Sequence, residues 1–454
     1  MLPREAAKII ASRMLRNKRT SALPGPPATM QIIRGARGGK GKRVGLCWSF
    51  LCGGGVETVN RDIAEHLSRE DYIVDGIVLQ ALPQFLPMAQ SFDDFIVLNE
   101  PFEPIGRPRV GPFTPVAQAA SFQKLLQDRH YDVLVMACMW APFWVAHMHG
   151  IPIVEIWHGF GCWNAFDLPS TEIVSVSDMT RRQIEVVRPQ HASVTVIRNA
   201  VSAARYADTM SHRQEARVRF GLPADAPVVL YCGRFSPEKR WDDAIKAFVK
   251  AKERRPGLKL LMAGTIMPGY EDLVRNMGTG MGVAWDKDTF HVTLPHEEVH
   301  LAFAAADVML HPSEWEGLGM VLLEALAAGL PIISTFAGGC GEVLDGVAVK
   351  VRTGDIGGMA AELVRVLGDP DLRADLAAKG RSKVAAEFTL EEQAAKMSVV
   401  LQRVIAAARA PWTTPQVLSH EAIARRLAMG EEVGEKQLHE AGLMTRKGKG
   451  RKRA

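Results

Sequence analysis

The N-terminal half of the chain alternates short apolar runs with longer segments in which apolar residues recur every three or four positions. Residues 43–50 (RVGLCWSF) form a strand-like run, a Gly-rich loop follows, and 56–70 shows helical periodicity. Further buried strands are predicted at YIVDGIVL, YDVLVMAC, IPIVEIW, EIVSVS and VTVIRNAV, with a helix at VAQAASFQKLLQDR. Strands that alternate with helices predict a parallel sheet covered by helices on both faces.

A second alternation of the same kind follows the polar stretch 202–226, which is predicted to connect two domains. Its strands are predicted at PVVLYCGR, LKLLMAG, DTFHVTLP, DVMLHPS and LPIIST, and three helices fill 355–408. We therefore predict an α/β fold of two doubly wound, Rossmann-like domains facing each other across a cleft, where small-molecule sites are common. The predicted divisions are a basic N-terminal extension (1–42), an N-terminal domain (43–205), a C-terminal domain (206–388), a helix packing back toward the N-terminal domain (389–409) and a C-terminal extension with a basic tail (410–454).

Positive charge is concentrated at the two ends of the 454-residue chain. Residues 1–43 carry a net charge of +10 and residues 446–454 carry +6, so the remainder carries −11 against a total of +5. Such ends bind an anionic membrane surface or nucleic acid, or else are solvated tails; the segment REAAKIIASRMLRNKR is also compatible with an interfacial helix or a transit peptide. The six cysteines contain no CxxC pair, and no apolar run reaches membrane-spanning length. We expect a cytoplasmic protein, with peripheral binding to the inner membrane face as an open alternative.

Two motifs indicate chemistry only weakly. GGGVET (53–58) lies between a strand and a helix, where glycines let a backbone approach a phosphate, but it lacks the third glycine of a dinucleotide fingerprint, and Asp75 lies inside the next strand rather than at its end. HEEVH (296–300) matches the zinc-protease pattern formally. No clear third ligand is nearby, so exposed polar residues in a first helical turn are the favoured interpretation, and no metal site is predicted.

GRFSPEKR (233–240) follows a predicted strand of the second domain. Arg234 is expected at the carboxyl end of that strand and Lys239 at the start of the next helix, along the edge where open α/β sheets bind ligands. Two cations there suit a diphosphate. The planar guanidinium of Arg234 can bind two phosphate oxygens at once, and the Lys239 ammonium acts as a point charge. The alternative is a loop whose charges pair with neighbouring acids, Glu238 among them.

Residues 311–331 (HPSEWEGLGMVLLEALAAGLP) place one carboxylate in an otherwise apolar helix. A helix that is apolar all round is normally buried, and a buried carboxylate without partners is costly, so Glu324 needs hydrogen-bond donors. Glu316 precedes the helix, up to ~12 Å away if the rise between the two is helical. This separation fits a ligand with a diphosphate in the middle and hydroxyl-bearing sugars at both ends, because a carboxylate accepts two hydrogen bonds from a vicinal diol. The alternative is a buried ion pair between Glu324 and an arginine.

Taken in order, these motifs resemble the family-4 retaining glycosyltransferases, which have the GT-B fold. The resemblance covers residues 44 to about 405 and rests on the GGGVET loop, IPIVEIWHGF, IVSVSDMTRRQIE, VTVIRNAV and, above all, GRFSPEKR together with HPSEWEGLGMVLLEALAAGLPIIST. Two departures are Asn199-Ala200, where the family usually has Asn-Gly, and Gly264-Thr265, where Gly-x-Gly is frequent. Residues 1–42 and 410–454 have no counterpart in the family pattern.

The resemblance implies a role for each matching residue. Arg234 and Lys239 would bind the diphosphate of a nucleotide-sugar donor, Glu316 the hydroxyls of the transferred sugar, and Glu324 the ribose. His158 would reach the reacting sugar from the N-terminal domain, and Gly54 and Gly55 would close over the phosphates. Backbone N–H groups would come from the start of the helix, at Gly317, Leu318, Gly319, Met320 and Val321. The family needs no metal ion and no cofactor.

The expected function is therefore retaining transfer of a sugar from a nucleotide-diphosphate sugar to an acceptor hydroxyl. The acceptor is expected to be a cell-envelope glycan or lipid. Two alternatives stay open: a glycosyltransferase that acts on hydroxylated DNA bases, with the basic ends on the duplex backbone, and a non-catalytic nucleotide-sugar-binding protein.

Overall fold

The protein is described from a computed structural model that covers residues 30–51, 54–98, 115–137, 145–147, 149–159, 170–188, 194–266 and 270–408. Within these residues the chain forms two separate sheets, one in each half. Both are flanked by helices. This arrangement confirms the predicted α/β class with two Rossmann-like units.

The N-terminal sheet has the strand order β1-β4-β3-β2-β5-β6-β7-β8 among the described residues. All neighbouring strands pair in parallel except β1, which runs antiparallel to β4. Its strands and helices, in chain order, are β1 (Gln31–Arg34), β2 (Lys42–Leu51), α1 (Gly55–His66), β3 (Tyr72–Ala81), a 3-10 helix (Pro83–Ser91), β4 (Asp94–Val97), α2 (Pro115–Asp128), β5 (Val133–Ala137), β6 (Ile153–Trp157), β7 (Glu172–Ser175), α3 (Asp178–Val187) and β8 (Val194–Val196).

The C-terminal sheet is parallel throughout its described strands, in the order β11-β10-β9-β12-β13-β14. The polar stretch predicted as a connection is largely helical. The elements of this half are α4 (Ala203–Tyr206), a 3-10 helix (Thr209–His212), α5 (Arg213–Arg219), β9 (Val228–Cys232), a 3-10 turn (Pro237–Lys239), α6 (Trp241–Arg254), β10 (Lys259–Ala263), α7 (Glu271–Gly280), β11 (Thr289–Val292), a 3-10 turn (His296–Glu298), α8 (Val299–Ala305), β12 (Val308–His311), α9 (Met320–Ala328), β13 (Ile332–Ser334), α10 (Cys340–Leu344), β14 (Val349–Lys350), α11 (Ile356–Gly368), α12 (Pro370–Glu387) and α13 (Leu390–Ala407).

The N-terminal sheet begins earlier than predicted, because β1 lies inside the stretch assigned to a basic extension. Arg37, counted there as part of a solvated basic end, is 3% exposed. Its guanidinium donates to the carbonyls of Ala64 at 2.7 Å and Leu67 at 2.8 Å, and to a carboxylate oxygen of Asp93 at 2.9 Å. A cation suits these positions because the last carbonyls of a helix lack intrahelical partners. Arg37 therefore fastens the edge of the sheet to the end of α1.

The last helix, α13, lies against the N-terminal half, in contact with α1, β5 and β6. The Tyr72 hydroxyl lies 3.0 Å from the Ser398 hydroxyl, and Arg403 donates to Glu172 at 2.7 Å. None of the helices in the described part of the chain is long and apolar enough to cross a membrane. The predicted basic tail lies outside the described residues.

Candidate functional site

The candidate site is built at one edge of the C-terminal sheet. Strands β9 and β12 are parallel neighbours, so the loops that follow them leave the sheet on the same side. Lys239 closes the loop after β9, and Glu316 lies in the loop after β12. Their side chains meet with 2.5 Å between Lys239 Nζ and Glu316 Oε1. Two motifs 77 positions apart in the chain are thus brought into contact.

Glu316 is buried within a set of hydrogen-bond donors. Its Oε1 atom lies 3.1 Å from His311 Nε2 and accepts from Ser313 Oγ at 3.1 Å, in addition to Lys239. Burial alone raises the pKa of a carboxyl group, but the Lys239 ammonium and the His311 hydrogen bond outweigh it and hold the pKa of Glu316 well below its usual range. Glu316 is therefore a carboxylate at any physiological pH.

Arg234 is separate from this pair. Its side chain is 72% exposed and lies 3.7 Å from Glu238, the local pairing that the sequence left as an alternative. Its backbone carbonyl accepts the Tyr231 hydroxyl at 2.7 Å, which anchors the loop while the guanidinium stays in solvent. The structure thus pairs Lys239 with Glu316 and leaves Arg234, the other predicted cation, in solvent.

The start of α9 faces the start of α1. Gly317 and Leu318 lead to Gly319, whose φ of +90° favours glycine, and the helix begins at Met320 and continues through Val321. Gly54 directly precedes α1, and a Cβ at Gly55 would lie 3.3 Å from Met320 Cγ. The first N–H groups of α9 have no acceptor within the helix, and they lie at the helix end that meets Gly55. Gly53 lies outside the described residues.

His158 and Gly317 bring the two halves into direct contact. A Cβ on Gly317 would lie 1.8 Å from the His158 carbonyl oxygen, so only glycine permits this approach. Trp315 packs in the same way on Gly159, where a Cβ would lie 2.3 Å from the indole ring. The His158 Nε2 atom is buried with no hydrogen-bond partner among the described residues, and burial lowers the pKa of His158 to about 4. His158 therefore presents a neutral imidazole.

Glu324 lies within α9 and is buried, with 4% of its surface exposed. Burial is the main factor that raises its pKa to about 7; the nearby Asp62 carboxylate acts in the same direction, while Arg205 and Arg61 act against it. Among the described residues no Arg or Lys lies within ion-pair distance of Glu324, so the buried arginine pair considered from the sequence does not form. Tyr206 hydrogen-bonds to Glu324, and His296 Nε2 lies 3.7 Å from one of its carboxylate oxygens.

His296 corrects the interpretation of HEEVH as exposed polar residues. Its side chain is only 15% exposed and faces Glu324. Burial is the main factor that lowers the pKa of His296 to about 3, and the nearby Arg61 and Arg205 act in the same direction. The second histidine, His300, instead donates from Nδ1 to the Glu297 carbonyl at 2.8 Å. The described residues contain no His, Cys, Asp and Glu cluster suited to a metal ion.

The residues around Glu324 were missed from the sequence. Arg61 and Asp62 come from α1, and Arg205 and Tyr206 come from α4. The sequence of α1 is amphipathic, with an apolar stripe that includes Val59 and Ile63, so it predicts that the polar face meets solvent. The structure instead buries all of residues 57–64, because the polar face of this helix also packs against other parts of the protein. Asp75, by contrast, accepts hydrogen bonds from Arg43, Arg129 and Tyr131 and belongs to the core of its own half.

The two halves match two models of one enzyme family. Residues 53–205 match the model described as Glycosyltransferase Family 4, and residues 212–383 match the model described as Glycosyl transferases group 1. Together the two models match well over half of the chain. The chain belongs to the family-4 glycosyltransferases. Its fold is GT-B.

Relatives of this family-4 chain include several named transferases. It is 28% identical to a GDP-mannose-dependent monoacylated alpha-(1-6)-phosphatidylinositol monomannoside mannosyltransferase of Corynebacterium glutamicum, over 50% of this chain and 61% of that protein. It is 30% identical to a glycogen synthase of Mycobacterium tuberculosis, over 58% of this chain and 61% of that protein. The chain thus spans about 61% of the length of these relatives. The crystal structure of Anabaena HepE with UDP and glucose has the same fold, with a TM-score of 0.65, 18% identity and coverage of 80% of this chain and 100% of that one.

Proposed function

We propose that the protein transfers a sugar from a nucleotide-diphosphate sugar to an acceptor hydroxyl, with retention at the anomeric carbon. The observation that carries the proposal is the Lys239–Glu316 contact beside the start of α9, at the junction of the two halves of a GT-B chain. The site brings together a cation, a carboxylate and helix N–H groups. The cation and the N–H groups suit the phosphates of a nucleotide sugar, and the carboxylate suits the hydroxyls of its sugar. The named activities of the relatives support the same class of reaction.

In this proposal the positive groups stabilise the departing nucleotide diphosphate. Lys239 and the N–H groups of residues 317–321 take up the negative charge that develops as the bond from the anomeric carbon to the phosphate oxygen breaks. Arg234, exposed at the rim, has the freedom to fold over the phosphates when they bind. No metal ion is needed for this charge balance.

Glu316 would accept hydrogen bonds from the transferred sugar and Glu324 from the ribose diol. The acceptor hydroxyl would attack the face from which the nucleotide departs and pass its proton to the leaving phosphate oxygen. His158, neutral because of its lowered pKa, would contribute a hydrogen bond from the N-terminal half rather than a charge. Gly54 and Gly55 would border the phosphates.

The acceptor is proposed to be a hydroxyl of a cell-envelope glycan or lipid. Two relatives are named for phosphatidylinositol monomannoside or D-inositol 3-phosphate as acceptor, and these are polyols attached to phosphate. A peripheral contact with an anionic surface fits such an acceptor. The described residues offer no observation that favours a hydroxylated DNA base.

The test is donor turnover in Lys239→Ala and Glu324→Ala against an exposed control, Lys379→Ala, whose side chain is 55% exposed on α12. GDP-mannose and UDP-glucose serve as donors, with lipid extract or 5-hydroxymethylated DNA as acceptor. We expect both site variants to lose at least about 100-fold in turnover while the control matches the unmodified protein. Full activity in both variants refutes the site, an inverted anomer refutes retention, and donor binding without turnover supports the non-catalytic alternative.

A further inference from the structure

Glu316 is held by one of its two carboxylate oxygens. The Lys239 ammonium at 2.5 Å, His311 Nε2 at 3.1 Å and the Ser313 hydroxyl at 3.1 Å all contact Oε1. No hydrogen bond within the described part of the chain reaches Oε2. One oxygen therefore anchors the side chain, and the other is available to a ligand.

The hydrogen positions follow from the partners of His311. A carboxylate only accepts, so Nε2 must carry the hydrogen that it shares with Glu316. Nδ1 lies 3.1 Å from the Ser334 hydroxyl, which also accepts the Phe336 N–H at 3.3 Å. The Ser334 hydroxyl can either donate to Nδ1 or accept from it while it accepts from Phe336, so in both cases the Nε2 hydrogen stays directed at Glu316.

The anchoring groups differ in their freedom to move. His311 and Ser313 are 3% and 1% exposed, and the Thr335 hydroxyl ties the Ser313 carbonyl at 2.6 Å. The Lys239 side chain is 19% exposed and ends a long flexible stem at the cleft. An incoming diphosphate competes for Lys239, whereas it has no access to the two buried donors.

We propose that His311 and Ser313 are positioning residues that keep Oε1 of Glu316 in place after the diphosphate draws Lys239 away, so that Oε2 stays directed at the hydroxyls of the donor sugar. The inference rests on the proposed function of this site. The Lys239–Glu316 ion pair then belongs to the empty site. When a donor binds, Lys239 contacts its phosphates and Glu316 contacts its sugar.

The test separates sugar recognition from nucleotide binding. In His311→Ala and Ser313→Ala we expect kcat for nucleotide-sugar turnover to fall about 10- to 100-fold, because a hydrogen bond to a charged group is lost. The affinity for GDP or UDP alone should stay within about twofold, since that ligand lacks the sugar. His311→Gln, which can return an N–H near the position of Nε2, should recover part of the loss. His300→Ala, which removes a histidine bonded to a carbonyl outside the site, is the matched control.

The other possible results of this experiment contradict either the positioning role or the proposed function. Unchanged kcat, or a parallel loss of kcat and GDP or UDP affinity, overturns the positioning role. If the unmodified protein neither binds nor turns over a nucleotide sugar, the proposed function fails by itself. Crystal structures of His311→Ala and His311→Gln, each combined with Lys239→Ala to remove the competing ammonium, then still test the anchor. An unmoved Glu316 carboxylate in the His311→Ala combination would overturn it, and a rotated one that returns in the His311→Gln combination would support it.

Discussion

Gly317→Ala offers a test of whether the contact between the two halves is needed for turnover. The added Cβ would lie 1.8 Å from the His158 carbonyl oxygen and 2.8 Å from its carbon. Ordinary contact between such atoms needs roughly 3.5 Å, so the two loops must separate by about 1.7 Å. The three atoms nearest to that Cβ all belong to His158 and Gly159, which lie in the opposite half.

The substitution should therefore act on closure and leave the fold intact. Gly317 has no positive φ, so alanine is allowed by its backbone. His158 would move away from the sugar end of the site by more than 1 Å, and a misplacement of this size can cost about 100-fold in rate. We expect kcat to fall by about that factor, with a smaller change in donor affinity, because Lys239 and Glu316 stay in place.

The assay is steady-state transfer with saturating donor, accompanied by thermal unfolding. Gly341→Ala in α10 is the matched control, since a Cβ there meets nothing within 4 Å. A folded Gly317→Ala protein with kcat within about twofold of the unmodified protein would refute the need for this contact. A large drop in Tm would instead show that the added methyl disrupts the C-terminal half itself.

Three further predictions concern charge. Because burial raises the pKa of Glu324 to about 7, ionisation of this group lowers the stability of the folded protein as pH rises from about 4.5 to 7. In urea unfolding without ligand, Glu324→Gln should therefore be more stable than the unmodified protein by about 3 kcal/mol at pH 8 and by little at pH 4.5. An equal difference at both pH values would contradict this origin. Arg188→Ala should lose about 3–5 kcal/mol of unfolding free energy, because it strands the buried Glu155 carboxylate that Arg188 meets at 2.5 Å, whereas Arg181→Ala, which breaks an exposed pair, should change stability by less than about 1 kcal/mol. Transfer should survive EDTA, because Lys239 and helix N–H groups supply the positive charge; loss of activity that zinc restores would overturn this.

The strands and most helices followed from periodicity because their patterns are local. Parallel strands such as β5, β6 and β12 are buried runs that are apolar except for Glu155 in β6 and His311 in β12, and their boundaries lay close to the predicted ones. β1 was missed because it has only four residues and is followed by a segment rich in glycine, arginine and lysine (35–43). Its place is determined by pairing with β4, which lies more than 60 positions later, and no short-range pattern carries that information.

Part of the candidate site was likewise predictable from local sequence patterns, and part of it was not. Lys239 and Glu316 each follow a strand of the second sheet, so their shared edge was foreseeable once the strands were parallel. That Arg234 would stay in solvent while Lys239 pairs with Glu316 depends on side-chain geometry within the loop. The group around Glu324 draws on α1, α4 and the turn before α8, and a single sequence does not reveal contacts of that range.

Glu316 and Glu324 are eight positions apart, yet their surroundings shift their pKa values in opposite directions. Glu316 is paired through Oε1 before any ligand arrives, so a donor sugar adds hydrogen bonds there only at Oε2. Glu324 has no cation within ion-pair distance and a second carboxylate, Asp62, nearby, so the hydrogen bond from Tyr206 compensates its charged form only in part. A vicinal diol provides two hydroxyl donors without adding charge. The destabilised carboxylate therefore gains most from a ribose, and the paired one is better suited to discriminate between sugars than to supply affinity.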